Sequence, residues 1–231
     1  VMNKHREIIY KRRRRLLEIG SDEVIHKEYK DDNLREEIIG YLHSEVEAMV
    51  SVRAPQNFTE DEYEAIIKEF TKIIPFDQAS QRELMKNISK YTDSKEIISD
   101  LTDIIDQTYQ ASEKSMGEET VKQIENYVVL STVDEKWMEH LENMDALKEG
   151  IWLRGDKNTV LSEYKKESFS MFEGLIDTVE STIANRIFRI QPSSQRPVRV
   201  MPKQMVAKKE DIHESLDMAV QLTFAFTKTL L

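Results

Sequence analysis

Two glycines, Gly150 and Gly155, carry the spacing that most readily suggests chemistry in this chain, G-x-x-x-x-G. A phosphate-binding loop of that type needs Lys and then Ser or Thr directly after the second glycine, and a strand before the first. Here Asp156 and Lys157 follow, and the preceding residues have a helical pattern. Asp156 would repel phosphate, so nucleotide binding by this loop is rejected. Metal sites fare no better. His43 and Glu47 lie one turn apart, as do Glu210 and His213, but neither pair has a third ligand at suitable spacing. Such neighbours read as i,i+4 contacts on a helix. With no Cys in the chain, Cys-based zinc sites and disulfides are excluded. The carboxylates are spread along solvated faces, and no Ser–His–Asp constellation is visible. His140 sits beside an apolar stripe and reads as a satisfied, half-buried contact. The Arg154-Gly155-Asp156 tripeptide and the sequons at Asn57 and Asn87 are too short to carry a function alone. The expectation is therefore no catalytic residue, no metal and no cofactor in this chain.

One charge cluster remains. Net charge is −10, yet the first twenty residues hold seven Lys/Arg against two Asp/Glu. The run Lys11–Arg15 could bind a polyanion. The acidic bulk opposes that, and no aromatic platform accompanies it. It reads as a helix face, with Ile8, Ile9, Leu16 and Leu17 packed on the other side. Nucleic acid is not an expected partner, while an anionic lipid surface remains one.

The elements that must position these groups are helices. Apolar residues recur at Val133, Trp137, Leu141, Met144, Leu147 and Ile151, then at Leu161, Tyr164, Phe172, Leu175, Val179, Ile183, Ile187 and Ile190. Steps of three and four put each set on one helical face. The short polar turn between them, with its tip at 154–159, forces antiparallel packing. Further helices are expected over Met2–Ile19, stopped by Gly20, and over Asn33–Val52, ending before Pro55. The next opens on a capping box of Thr59 with Glu62, stapled by Phe58, and ends at Pro75. Residues 78–90 follow, then a long segment capped by Thr92-Asp93-Ser94, with a bend expected at Gly117. Pro192, Pro197 and Pro202 break the periodicity, so 192–231 reads as linker and largely irregular tail, with a short helix at Glu210–Ala219 and an apolar end at 220–231. The fold class is all-α. No apolar h-region marks a leader, and no segment reaches the ~20 apolar residues that span a bilayer.

The string from Trp137 through Met-Glu-His-Leu, Met-Asp-Ala-Leu and Gly-Ile-Trp-Leu-Arg-Gly to Glu-Tyr-Lys-Lys-Glu-Ser-Phe-Ser-Met-Phe resembles the two-helix finger of the SecA family. That family comprises motor ATPases of bacterial preprotein translocation. The opening VMNKHREIIYKRRRRLLE resembles the end of the family's long scaffold helix. The resemblance implies four parts: scaffold helix at 1–20, a helical wing inserted at 21–116, scaffold with finger at 117–191, and the tail at 192–231. It further implies a mechanical element that couples ATP hydrolysis elsewhere to preprotein movement through the SecYEG channel. The partners implied are the motor domains, SecYEG and unfolded preproteins, at the cytoplasmic face of the membrane. ATP and Mg would belong to the parent protein. The contact residues implied at the tip are Trp152, Arg154, Gly155, Asp156, Lys157 and Asn158. Where the family commonly carries Tyr or another bulky group, this chain has Asp156, and Lys157 or Leu161 is the nearest substitute. Trp137 is expected to face other helices, and Trp152 a partner. Scaffold faces built to lie against further domains would also favour self-association of the isolated chain. The alternative reading is a free-standing helical adaptor that binds through exposed apolar faces and hydrolyses nothing.

Overall fold

The first helix, α1 (Met2–Ile19), stops where its chain meets another helix at close range. Gly20 has φ −84°, an ordinary right-handed value, so the left-handed turn expected of a helix-ending glycine is not its reason. Its reason is space. A Cβ there would lie 1.6 Å from the Asn126 Oδ1, while the Asn126 Nδ2 donates to the Gly20 carbonyl at 2.7 Å. The end of α1 is thereby fixed to the middle of the chain.

This computed structural model describes residues 1–20, 29, 33–52, 58–154 and 159–190. After α1 come α2 (Leu34–Ser51), α3 (Glu60–Ile73), α4 (Gln78–Ile88), α5 (Ser94–Met116), α6 (Glu118–Arg154) and α7 (Val160–Arg186). Among the described residues there is no strand, so the fold is all-α, as the composition implies. Side chains satisfy the exposed first amides of the helices. Asn33 accepts from the Arg35 amide, Asp77 from that of Ser80, and Asp93 from that of Lys95. The capping box forms as the sequence demands, with the Thr59 amide donating to Glu62 at 2.6 Å. Phe58 stacks on Tyr63 at 5.3 Å and staples the entry of α3.

Helices α6 and α7 form a long hairpin. At 37 residues, α6 is roughly 55 Å long. The two run antiparallel, since Arg186 reaches Glu135 at 2.7 and 2.9 Å while His140 meets Phe172 farther toward the tip. Helix α1 lies along α6, and α2 to α5 cluster at the far end of the hairpin from its tip. The core joins them: Ile38, Leu42, Val46 and Val50 of α2 face Ile97, Leu101 and Ile105 of α5, with Val128 and Val133 of α6 and Val179 and Ile183 of α7 beside them.

Helix α2 is the central strut. Its Arg35 pairs with Glu113 of α5 at 2.5 Å and lies over the Tyr109 ring. Tyr109 in turn donates to the buried Glu125 of α6. Burial raises the pKa of both groups, so Glu125 holds its proton more readily than an exposed carboxylate.

The bend expected at Gly117 is a full reversal. Tyr109 and Glu125 would stand about 24 Å apart on a continuous helix, yet they are bonded. One residue makes the turn, with φ +86°, the single positive φ among the described residues. No atom stands within 4 Å of an added Cβ, so replacing this glycine tests backbone strain alone. Gly117→Ala is expected to lower stability by ~1–3 kcal/mol, roughly 2–12 °C in Tm at this chain length, read by thermal unfolding.

Candidate functional site

Near the tip of the hairpin, large apolar side chains meet solvent. Ile151 is buried on the seam between α6 and α7, while the next two residues, Trp152 and Leu153, are 80 % and 83 % exposed. A helix turns by about 100° per residue, so two neighbours past a seam position point away from it. Leu161, expected on the α7 stripe, is 64 % exposed instead. It lies in the first turn of α7, where no neighbouring helix covers it. Together with Met2, Ile151 and Tyr164, these three residues line a groove of about 880 Å³. Asp145, Lys148 and Glu149 flank it, so charge of both signs borders an apolar floor.

Of the six residues expected to touch a partner, Trp152 is therefore described and exposed. Arg154 ends α6, and its side chain lies outside the described residues, as do Gly155, Asp156, Lys157 and Asn158. The tail at 192–231, with its expected helix at Glu210–Ala219, also lies outside them.

The second tryptophan has the opposite setting. Trp137 is 8 % exposed, stacked on His140 at 5.5 Å and edge-on to Tyr10 of α1 at 6.4 Å. It faces other helices, as its place on the stripe requires.

The basic run on α1 is used inside the molecule. Arg12 donates to Tyr41 of α2 at 2.8 Å and to Glu180 of α7 at 2.9 Å. Arg13 grips Asp134 of α6 through two bonds of 2.7 and 3.0 Å, and Arg15 pairs with Glu37 of α2 at 2.7 Å. Three of the five cations thus brace neighbouring helices, leaving Lys11 and Arg14 facing outward. Of the four apolar residues expected behind the run, Ile9 and Leu16 are buried, whereas Ile8 and Leu17 are partly exposed. The four-residue set spans more than one face, and α6 covers only one side.

His43 bonds to Asp106 of α5 at 3.0 Å, across to another helix and not to Glu47 on its own. Among the described residues no group of three potential metal ligands converges. Nor is any described helix long and apolar enough to cross a membrane.

One arrangement escaped the sequence. His140 is not half-buried but nearly closed off, and its partner is His5 of α1, 135 residues away, at 3.2 Å. His5 stacks on Phe172 of α7 at 4.3 Å. Burial lowers the pKa of both imidazoles. No local pattern marks His5, because its significance depends wholly on a distant helix.

The comparisons with known proteins agree with this architecture. A family described as "SecA Wing and Scaffold domain" matches residues 1–191. A protein translocase subunit SecA of Desulforudis audaxviator is 32 % identical over 225 residues, covering 94 % of this chain and 22 % of its own length. One from Streptomyces coelicolor is 31 % identical over 225 residues, covering 96 % of this chain and 22 % of that protein. A third, from Desulforamulus reducens, is 33 % identical over 208 residues, covering 86 % and 22 %. The chain thus spans about a fifth of the length of these curated relatives.

Proposed function

The chain belongs to the SecA wing and scaffold domain family, and from that premise we propose that it serves protein translocation as a mechanical lever. Its relatives are named as translocase subunits, which supports the broad role. The finer reading is that α6 and α7 deliver movement from motor domains to a polypeptide at the mouth of the SecYEG channel. ATP and Mg would act in those motor domains, and the protein would work at the cytoplasmic face of the membrane.

One observation carries this reading: a long packed hairpin keeps its shaft apolar seam closed and turns Trp152 and Leu153 outward beside the tip. Packed helices move as units, so displacement at one end reaches the other. An aromatic and an aliphatic side chain held in solvent at the end of such a shaft suit transient contact with unfolded chain. Their sites on a partner need no fixed sequence, because apolar burial is not directional. Trp152, Arg154, Gly155, Asp156, Lys157 and Asn158 form the proposed contact.

The test places a cysteine at Asp156 in the full-length translocase subunit that carries this segment. Crosslinks to SecY and to a stalled preprotein are the expected products. Finding neither, in a variant that still hydrolyses ATP, would favour a helical adaptor that binds partners through its exposed faces.

A further inference from the structure

The imidazoles of His5 and His140 make a long-range polar contact between the first two turns of α1 and the hairpin. We propose that they form a proton-operated latch, which holds the first two turns of α1 on α6 and α7 while both rings are neutral and releases them on acidification. The inference concerns the junction within this chain and stands whether or not the lever reading holds.

The geometry demands a particular proton count. His5 Nδ1 and His140 Nε2 lie 3.2 Å apart. Only one of two facing nitrogens can carry the hydrogen, so the neutral pair shares one N–H···N bond. Two imidazolium rings would aim a proton at each other across that distance, and the bond would be lost. The rings cannot simply turn aside. His5 is stacked on Phe172, and His140 lies between Trp137 and Phe172. Both rings are nearly excluded from water, at 6 % and 4 % exposure.

Charges that face the pair come from all three helices. On α1 this is Lys4, and on α7 they are Lys165, Glu173 and Asp177, all around the groove that His5 borders. On α6 they are Lys136 and Glu139, beside His140. Lys136 and Glu139 are engaged with each other at 2.9 Å. Glu173 and Asp177 would favour a charged His5, whereas Lys4 and Lys165 oppose it. Desolvation keeps both rings neutral, and His5 itself adds to the effect at His140. The folded pKa values therefore lie below the unfolded value of about 6.5. Protons bind more readily to the released state, so the latch is at full strength above pH ~6.5 and weakens as pH falls below it. For each proton taken up on release, the closed-to-open ratio falls about tenfold per pH unit in that range.

Three readouts on the full chain test this between pH 8 and 5. Imidazole NMR titration is expected to place both rings below 6.5. Amide hydrogen exchange, corrected for intrinsic rates, is expected to accelerate in α1 below pH 6.5 and not in α2. In a Trp152→Phe background, Trp137 is the remaining tryptophan, and its emission is expected to change over the same range as the stacked His140 ring charges. His5→Gln, which can still bond to His140, and His5→Phe, which keeps the ring stack, are each expected to flatten the α1 exchange profile. They should also move His140 up toward 6.5. Titration of both rings at or above 6.5 in the unsubstituted chain would overturn the latch, even if neither variant folds. So would an α1 exchange profile that both variants leave unchanged.

Discussion

Trp137→Ala is expected to cost ~3–5 kcal/mol of unfolding free energy, the usual range for a buried tryptophan cut back to a methyl. Against the ~5–15 kcal/mol that holds a typical domain together, that is a large share. The ring is buried among helices, with Tyr10 of α1 on one side and His140 of its own helix on the other. Its loss opens a cavity at the seam of α1 and α6, and the surrounding helices are too stiff to close it. The contact between Tyr10 and the hairpin goes with it. Urea unfolding followed by circular dichroism measures the effect, which should appear as a lower midpoint at nearly constant slope. A change below ~1 kcal/mol would mean that the junction repacks freely and that the shaft is softer than its packing implies.

Trp152→Ala, fifteen residues along the same helix, should behave in the opposite way. At 80 % exposure the side chain has little burial to lose, so stability is expected to stay within ~0.5 kcal/mol. Function is where its loss should be felt. Exposed tryptophans that anchor an interface commonly cost 2 kcal/mol or more on truncation, or roughly 30-fold in affinity. Preprotein transport into vesicles, driven by the full-length subunit carrying Trp152→Ala, is therefore expected to drop by at least tenfold. ATP hydrolysis in the absence of preprotein should be unchanged. Transport at the original rate would remove Trp152 from the proposed contact. It would leave the fold assignment intact, because that rests on buried residues.

The contrast between the two tryptophans shows what a helical period can and cannot convey. Position on the stripe told Trp137 from Trp152, because a stripe residue of a packed helix faces another helix. Helix boundaries were equally legible, since caps are local: Asn33, Thr59 with Glu62, and Asp93 each open a helix where the pattern begins. The all-α class followed from the same periodicity. The stripe could not show where it runs out of cover. Leu161 keeps the period but stays uncovered in the first turn of α7, and Ile8 and Leu17 keep the right residue type on the wrong side of α1. Gly20 was a correct boundary for an incorrect reason, since only the approach of Asn126 reveals why a side chain is forbidden there. The reversal at Gly117 looked like a bend, because direction of turn depends on a φ value that sequence does not spell out. Long-range pairing was the least visible. Nothing near His5 announces His140, and nothing in the basic run announces that its arginines have acidic partners on three other helices.

Those arginines have a consequence for how α1 can move. Arg12, Arg13 and Arg15 fall within one turn, yet they are keyed to α7, α6 and α2 in turn. Rolling α1 about its own axis by a single residue, about 100°, would pull all three out of their slots together. Torsion is therefore a poor input to this helix. Push, pull or tilt would carry the neighbouring coils along with it, as a splined shaft carries its hub.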